Sequence, residues 1–162
     1  MEEFKKELVS KINNMPGVKL LREAGLNFKL LGGAIVAAMD NKEPKDYDLL
    51  LTGTSKARDY SEMSNLGFNL LFETDNAYTY EKEGLMFQFI KGSVNTFDYT
   101  ISQVIFTSRD SSLEGDLYNL KHKKLIPVVT NNVDYKFQQL LRLPHYQNKG
   151  FIIHPATYQN LV

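Results

Sequence analysis

The sequence predicts an α+β domain, and three observations carry that prediction. Apolar residues near the N-terminus recur at helical spacing, with Phe4, Leu8 and Ile12 at i, i+4 and i+8. Three strand-like runs follow one another in mid-chain, "FNLLFET", "AYTYEKE" and "LMFQFIKG", separated by short turns. Elsewhere helices and strands mix without the regular alternation that builds a doubly wound sheet. The 162 residues divide into a core over 1–126 and a helical extension over 127–162 packed on the same domain.

The first helix gives way at Met15-Pro16-Gly17, and a second, Val18 to Ala24, is closed by Gly25. "NFKLLGG" reads as a strand entering a tight glycine turn. "AIVAAMD" continues as a helix that is over before Pro44, because proline pushes Glu43 toward extended geometry. "YDLLLTG" is a strand whose continuous apolar run, bounded by Gly53, suits an inner position. Ser55 is the expected cap of a helix with Asp59 in its first turns, running to about Leu66 and ended by Gly67.

The three mid-chain strands turn at Thr74-Asp75-Asn76 and Glu83-Gly84. In the last, Leu85, Phe87 and Phe89 alternate with Met86, Gln88 and Ile90, so one face is more polar. "YTISQVIFTS" is compatible with a strand or a helix start, and its β-branched residues favour the strand. A short helix is expected over Ser112 to Leu120. "KHKKLIPVV" is a basic stretch followed by an extended one. A final helix carries Val133, Phe137, Leu140 and Leu141 on one face, with a stop or kink near Leu143 because Pro144 removes a hydrogen bond and crowds the preceding turn.

Composition narrows the function classes. Lysine plus arginine and aspartate plus glutamate each number 19, so no global field favours a polyanion or a membrane, and any such site is local. The absence of cysteine excludes disulfides, thiolate metal sites and thiol nucleophiles. No signal-peptide core and no apolar run of membrane-spanning length is present. The expectation is a soluble cytoplasmic protein with no membrane partner. The three histidines, His122, His145 and His154, are too scattered for metal-ligand spacing, and no serine has a nucleophile-elbow setting.

One stretch concentrates chemistry. Asp46 and Asp48 open the "YDLLLTG" strand two residues apart, so their side chains share a face. Two adjacent carboxylates repel, and a divalent cation between them removes the repulsion. Oxygen ligands at a strand end suit Mg²⁺ or Mn²⁺ held together with substrate phosphates. Read alone, Lys45-Asp46-Tyr47-Asp48 also fits a solvated turn neutralised by Lys45 or Lys42. Upstream, Gly32-Gly33 leaves a strand and opens a helix, where free N–H groups and the absence of a side chain favour a phosphate.

In that order the residues resemble the polymerase-β-type nucleotidyltransferase superfamily, and in particular the head domain of tRNA CCA-adding enzymes and bacterial poly(A) polymerases. "GGAIVAAMDNKEPKDYDLLL" is similar to their Gly-Gly pair, helix, proline-and-lysine turn, Asp-x-Asp and apolar strand. "FDYTISQVIF" resembles a second motif of the family, with Asp98, Thr100 and Ile101 in matching places, and "DLYNLKHKKL" resembles the stretch after it. The resemblance spans about residues 28 to 126. It implies a mixed β-sheet with flanking helices and metal-dependent transfer of a nucleoside monophosphate from a nucleoside triphosphate to a hydroxyl. The acceptor, whether RNA, protein or small molecule, stays open. Asp46 and Asp48 would hold Mg²⁺ or Mn²⁺, with Asp98 as a further metal candidate. Gly32, Gly33, Lys45 and Arg142 would meet the nucleotide.

The departures from that family are specific. Val36 and Ala37 stand where its helix usually carries Arg-Asp. Thr96-Phe97 replaces a pair of arginines before Asp98. Gln88 occupies the strand position where many members add a third carboxylate. Some forty residues follow the matched region, where the CCA-adding enzymes continue into helical domains, so a minimal transferase is expected rather than full CCA addition. A catalytically degenerate binding or regulatory module on the same scaffold is the alternative. Two further groups are open to either reading. Lys121 to Lys124 suit a phosphate contact or a solvated turn. Arg142, His145, Tyr146 and Lys149 suit a nucleotide contact, with Tyr146 stacked on a base, or packing on the core.

Overall fold

A computed structural model describes residues 1–52, 60–92, 98–159 and 161. Apart from Met1, the chain divides into two compact units, Glu2–Val94 with Ile105–Leu113, and Asn95–Val104 with Glu114–Val162. Among the described residues no helix is long and apolar enough to cross a membrane.

The first unit is a mixed sheet with flanking helices, the α+β architecture expected. Its strands are β1 (Phe28–Leu31), β2 (Tyr47–Leu51), β3 (Asn69–Glu73), β4 (Ala77–Lys82), β5 (Leu85–Ile90), β6 (Ile105–Thr107) and β7 (Ser112–Glu114). They lie in the order β3-β4-β5-β2-β1-β6-β7. β2 is therefore an inner strand, as its apolar run requires. It pairs antiparallel with β1 and parallel with β5.

Each helix of this unit has a local cause. Helix α1 (Glu2–Asn13) carries Glu2 and Glu3 in its first turn and Lys11 in its last, in the sense the helix dipole favours, and buries Leu8 and Ile12. Helix α2 (Pro16–Glu23) starts on Pro16, whose missing N–H is no loss there, and ends before Gly25 at φ +75°. Helix α3 (Gly32–Met39) begins directly after β1. Helix α4 (Tyr60–Asn65) stops before Gly67 at φ +87°. The expected Ser55 cap and Asp59, the Gly53 boundary and Thr96-Phe97 lie outside the described residues. Phe28, Leu30, Leu49, Phe87 and Phe106 form the buried centre. Phe68 meets Phe87 and Phe89 edge-on at 5.4 and 6.1 Å.

The second unit contains a 3-10 turn (Thr100–Gln103), α5 (Leu117–Lys121), β8 (Lys124–Leu125), α6 (Val133–Gln147), β9 (Ile152–Ile153) and α7 (Pro155–Gln159). β8 and β9 pair in parallel. Asn132 caps α6, its Oδ1 accepting from the Asp134 and Tyr135 amides at 2.9 and 3.2 Å. Gln139 is buried, and its Nε2 donates to the carbonyls of Asp98 and Val128, both at 2.9 Å. The Tyr99 hydroxyl donates to the Gln139 carbonyl at 2.7 Å.

Three expectations are corrected. "YTISQVIFTS" is a strand only in its second half. The Ser102 hydroxyl accepts from the Tyr99 amide at 3.3 Å and the Ser102 amide donates to the Tyr99 carbonyl at 2.9 Å, which closes a tight turn instead of a ladder. Ser112 to Leu120 is not one helix: Ser112–Glu114 is strand, Gly115 at φ +122° breaks the chain direction, and Asp116 caps a shorter helix by accepting from the Asn119 amide. Helix α6 runs through Pro144, and its buried residues are Gln139, Leu143 and Tyr146. Val133, Phe137 and Leu141, expected on the packed face, are 77, 59 and 63% exposed. Leu143 and Tyr146, buried on either side of the proline, hold the helix together against a penalty of about 3 kcal/mol.

Candidate nucleotide and metal site

The site grows out of how β2 alternates. Tyr47 and Leu49 are buried, while Asp46, Asp48 and Leu50 are half-buried on the opposite side. Tyr47 fixes that alternation. Its ring stacks on Phe87 at 5.3 Å, and its hydroxyl accepts from the Gly17 amide at 3.1 Å and donates to the Glu43 carboxylate. Burial, first, and then the Glu43 hydrogen bond hold the Tyr47 phenol protonated well above its usual range. With Tyr47 committed to the core, Asp48 lies on the other face of β2, and Asp46 is half-buried just before the strand. A one-residue slip would bury both carboxylates.

The glycine pair reaches the same end of the sheet. The β1/β2 register pairs Phe28 with Leu51, Lys29 with Leu50 and Leu30 with Leu49. One step further along the ladder, the end of β1 and the start of α3 run beside Asp48. Gly32 and Gly33 form the first turn of α3, so they do not use the left-handed backbone that glycine permits. Their N-cap is Leu31, which makes no side-chain cap hydrogen bond. A Cβ built on Gly33 meets nothing within 4 Å. Gly33 is exposed and is thus not demanded by packing against the protein, whereas Gly32 is buried.

Gln88 lies directly alongside Asp48 in the parallel β2/β5 ladder. This is the position read from the sequence as lacking a third carboxylate. Among the described residues no group of three or more histidine, aspartate or glutamate side chains gathers. The donor set is therefore two carboxylates and a neighbouring amide. It fits a hard cation that keeps part of its shell for substrate oxygens better than one caged wholly by protein. One Asp48 oxygen, Oδ1, is buried and accepts no hydrogen bond, although the residue engages in other interactions.

Lys45 is exposed in the bend before β2. Asp98 and Arg142 belong to the second unit, where they pair with each other at 3.4 Å. Burial raises the Asp98 carboxyl above its usual range, and the Arg142 guanidinium partly offsets this. Arg142 also lies 5.5 Å over the Tyr146 ring. Tyr146 is buried against Tyr99 and Phe151, so it packs in the core and is not presented to stack on a base. The sequence reading missed the support beneath the aspartates: Gly17, Glu43 and the Tyr47 hydroxyl. The available signal was an aromatic with a polar tip between two acids on an inner strand.

Residues 2–125 of the 162 match the model of the Gabija anti-defense 2 family. The chain belongs to that family. No curated protein matches it. Among solved structures, this Gabija anti-defense 2 family chain resembles the Thermotoga maritima CCA-adding enzyme complexed with tRNA (TM-score 0.68, 15% identity, covering 96% of this chain and 43% of the enzyme). It also resembles a tRNA nucleotidyltransferase complexed with a primer tRNA and an ATP analog (0.63, 16%, 88% and 48%). A CCA-adding enzyme with CTP is similar again (0.62, 15%, 94% and 43%). At that identity the likeness shows the fold, which is that of the nucleotidyltransferases. The chain spans less than half the length of each of these enzymes.

Proposed function

We propose that the protein is a divalent-metal-dependent nucleotidyltransferase that moves a nucleoside monophosphate from a nucleoside triphosphate to a hydroxyl. What supports this reading is that Asp48, in β2, and Asp46, just before it, are half-buried at the strand mouth next to the β1 ladder that leads into Gly32-Gly33. The acceptor oxygen bonds to the α-phosphorus, the bond from that phosphorus to the β-phosphate oxygen breaks, pyrophosphate leaves, and the acceptor proton passes to solvent. Asp46 and Asp48 hold Mg²⁺ or Mn²⁺. A metal bound there neutralises the triphosphate and acidifies the acceptor hydroxyl. Gly32 and Gly33 leave the first amides of α3 open to the phosphates, and Lys45 adds positive charge at the strand mouth. Arg142 is proposed as a nucleotide contact. The protein works chiefly by positioning and by charge placed in advance.

The similar enzymes were solved with tRNA, an ATP analog and CTP, which supports a nucleoside triphosphate as substrate and RNA as the first acceptor to try. The family is named for acting against the Gabija defence, and the transfer reaction is the proposed means. The test is incubation with α-labelled nucleoside triphosphates, Mg²⁺, and RNA, protein and small-molecule acceptors. Label is expected in one acceptor class, and Asp46→Asn with Asp48→Asn abolishes it. Label in none of the three overturns the reading.

Gln88 beside Asp48 favours a second reading, a degenerate nucleotidyltransferase that binds without transferring. On that reading Asp46→Asn leaves anti-Gabija activity intact in cells.

A further inference from the structure

A cleft of about 310 Å³ lies in the first unit, where α1 and α3 end and α2 begins. Its polar walls are Ser10, Lys11, Asn14, Asn41, Lys42 and Glu43. The Asn14 amide donates to the Ser10 and Lys11 carbonyls, and the Asn41 and Lys42 amides donate to those of Ala38 and Ala37. Most of the last carbonyls of both helices are thus met by backbone, and the Met39 carbonyl at the end of α3 accepts from the Lys11 ammonium. The Lys11 ammonium makes only long contacts, 3.4 Å to the Met39 carbonyl and 3.9 Å to Glu7. A charge-assisted bond to an anion would be about 2.7–2.9 Å. The single acid on the wall, Glu43, accepts from the Tyr47 hydroxyl.

We propose that this cleft binds a small phosphorylated molecule, with its phosphate on Lys11 and Lys42 and a sugar-sized body against Ser10, Asn14 and Asn41. The volume lies at the lower end of the range for small-molecule sites, and the lining combines a few charged groups with neutral hydrogen-bonding ones. An occupant touching Glu43 stands one hydrogen bond from Tyr47, the residue between the two aspartates. The lining of the cleft includes neither Asp46 nor Asp48, and the proposal stands or falls without the transfer centre.

The test is an amide NMR titration with ribose 5-phosphate in the presence of a chelator, so that no divalent cation loads the aspartates, with inorganic phosphate as the comparison. Saturable shifts are expected at Asn14, Asn41 and Lys42, with ribose 5-phosphate binding more tightly than phosphate. Lys11→Gln with Lys42→Gln, both changes at accessible side chains, weakens binding by about tenfold or more. Asp46→Asn with Asp48→Asn leaves it unchanged. The proposal is overturned if no shift saturates, if the lysine variant binds as tightly, if the two ligands bind equally, or if the aspartate variant loses binding.

Discussion

The Gly17 amide donates to the Tyr47 hydroxyl at 3.1 Å, and the Tyr47 ring fills the space that a side chain on Gly17 would need. A Cβ there would lie 2.3 Å from the ring. This contact seats Tyr47 in the core and thereby turns Asp48, the next residue of β2, to the opposite face.

In a helix first turn, alanine is ordinarily at least as good as glycine. Here Gly17→Ala is expected to destabilise by about 1–3 kcal/mol through overpacking. Tyr47→Phe keeps the ring but removes the acceptor of a buried amide, at a cost of about 1–3 kcal/mol. Urea unfolding of both variants checks this, and unchanged stability in Gly17→Ala contradicts the contact.

Tyr47 and Tyr99 make stability fall at high pH. Burial pushes both phenols up, Tyr99 to about 12 from an ordinary value of 10.0. Above pH 10 the unfolded chain loses these protons while the folded chain keeps them, so folding is fully supported below pH 10 and weakens as pH rises through the folded values. Each phenol contributes a slope of about 1.4 kcal/mol per pH unit in that window. Unfolding free energies measured from pH 9 to 11.5 should decline, and the decline should be shallower in Tyr47→Phe.

On α6 the buried residues and the exposed apolar ones make opposite predictions. Leu143→Ala is expected to cost about 2–5 kcal/mol, and Phe137→Ala or Leu141→Ala no more than about 0.5 kcal/mol. Thermal unfolding of the three variants decides which face is packed.

That helix marks the limit of what periodicity reveals. Val133, Phe137 and Leu141 repeat at helical spacing, yet the chain packs the stripe holding Leu143 and Tyr146 because buried Gln139 satisfies the Asp98 and Val128 carbonyls. A glutamine does not announce a core position. The order and inner position of β2, the three strands from Asn69 to Ile90 and the first two helices were legible because their apolar spacing and their glycine and proline stops agree. The alternation of β2, with Tyr47 and Leu49 buried and Asp48 and Leu50 half-buried, was legible from its two-residue period. The Gly17–Tyr47 contact was not, because it joins residues 30 apart through a cavity only glycine leaves.

Gln88→Asp adds a carboxylate alongside Asp48. Without metal, repulsion is expected to lower the melting temperature. With Mn²⁺ the loss should be reversed, and Mn²⁺ should bind more tightly than to the wild type. Calorimetry with and without Mn²⁺ reads both effects.

The most direct measurement is isothermal titration of a nucleoside triphosphate into the wild type and into the Asp46→Asn, Asp48→Asn variant, each with and without Mg²⁺. The proposed chemistry predicts binding that strengthens with Mg²⁺ in the wild type and loses that dependence in the variant. Equal binding in all four titrations, or none in the wild type with Mg²⁺, would contradict it.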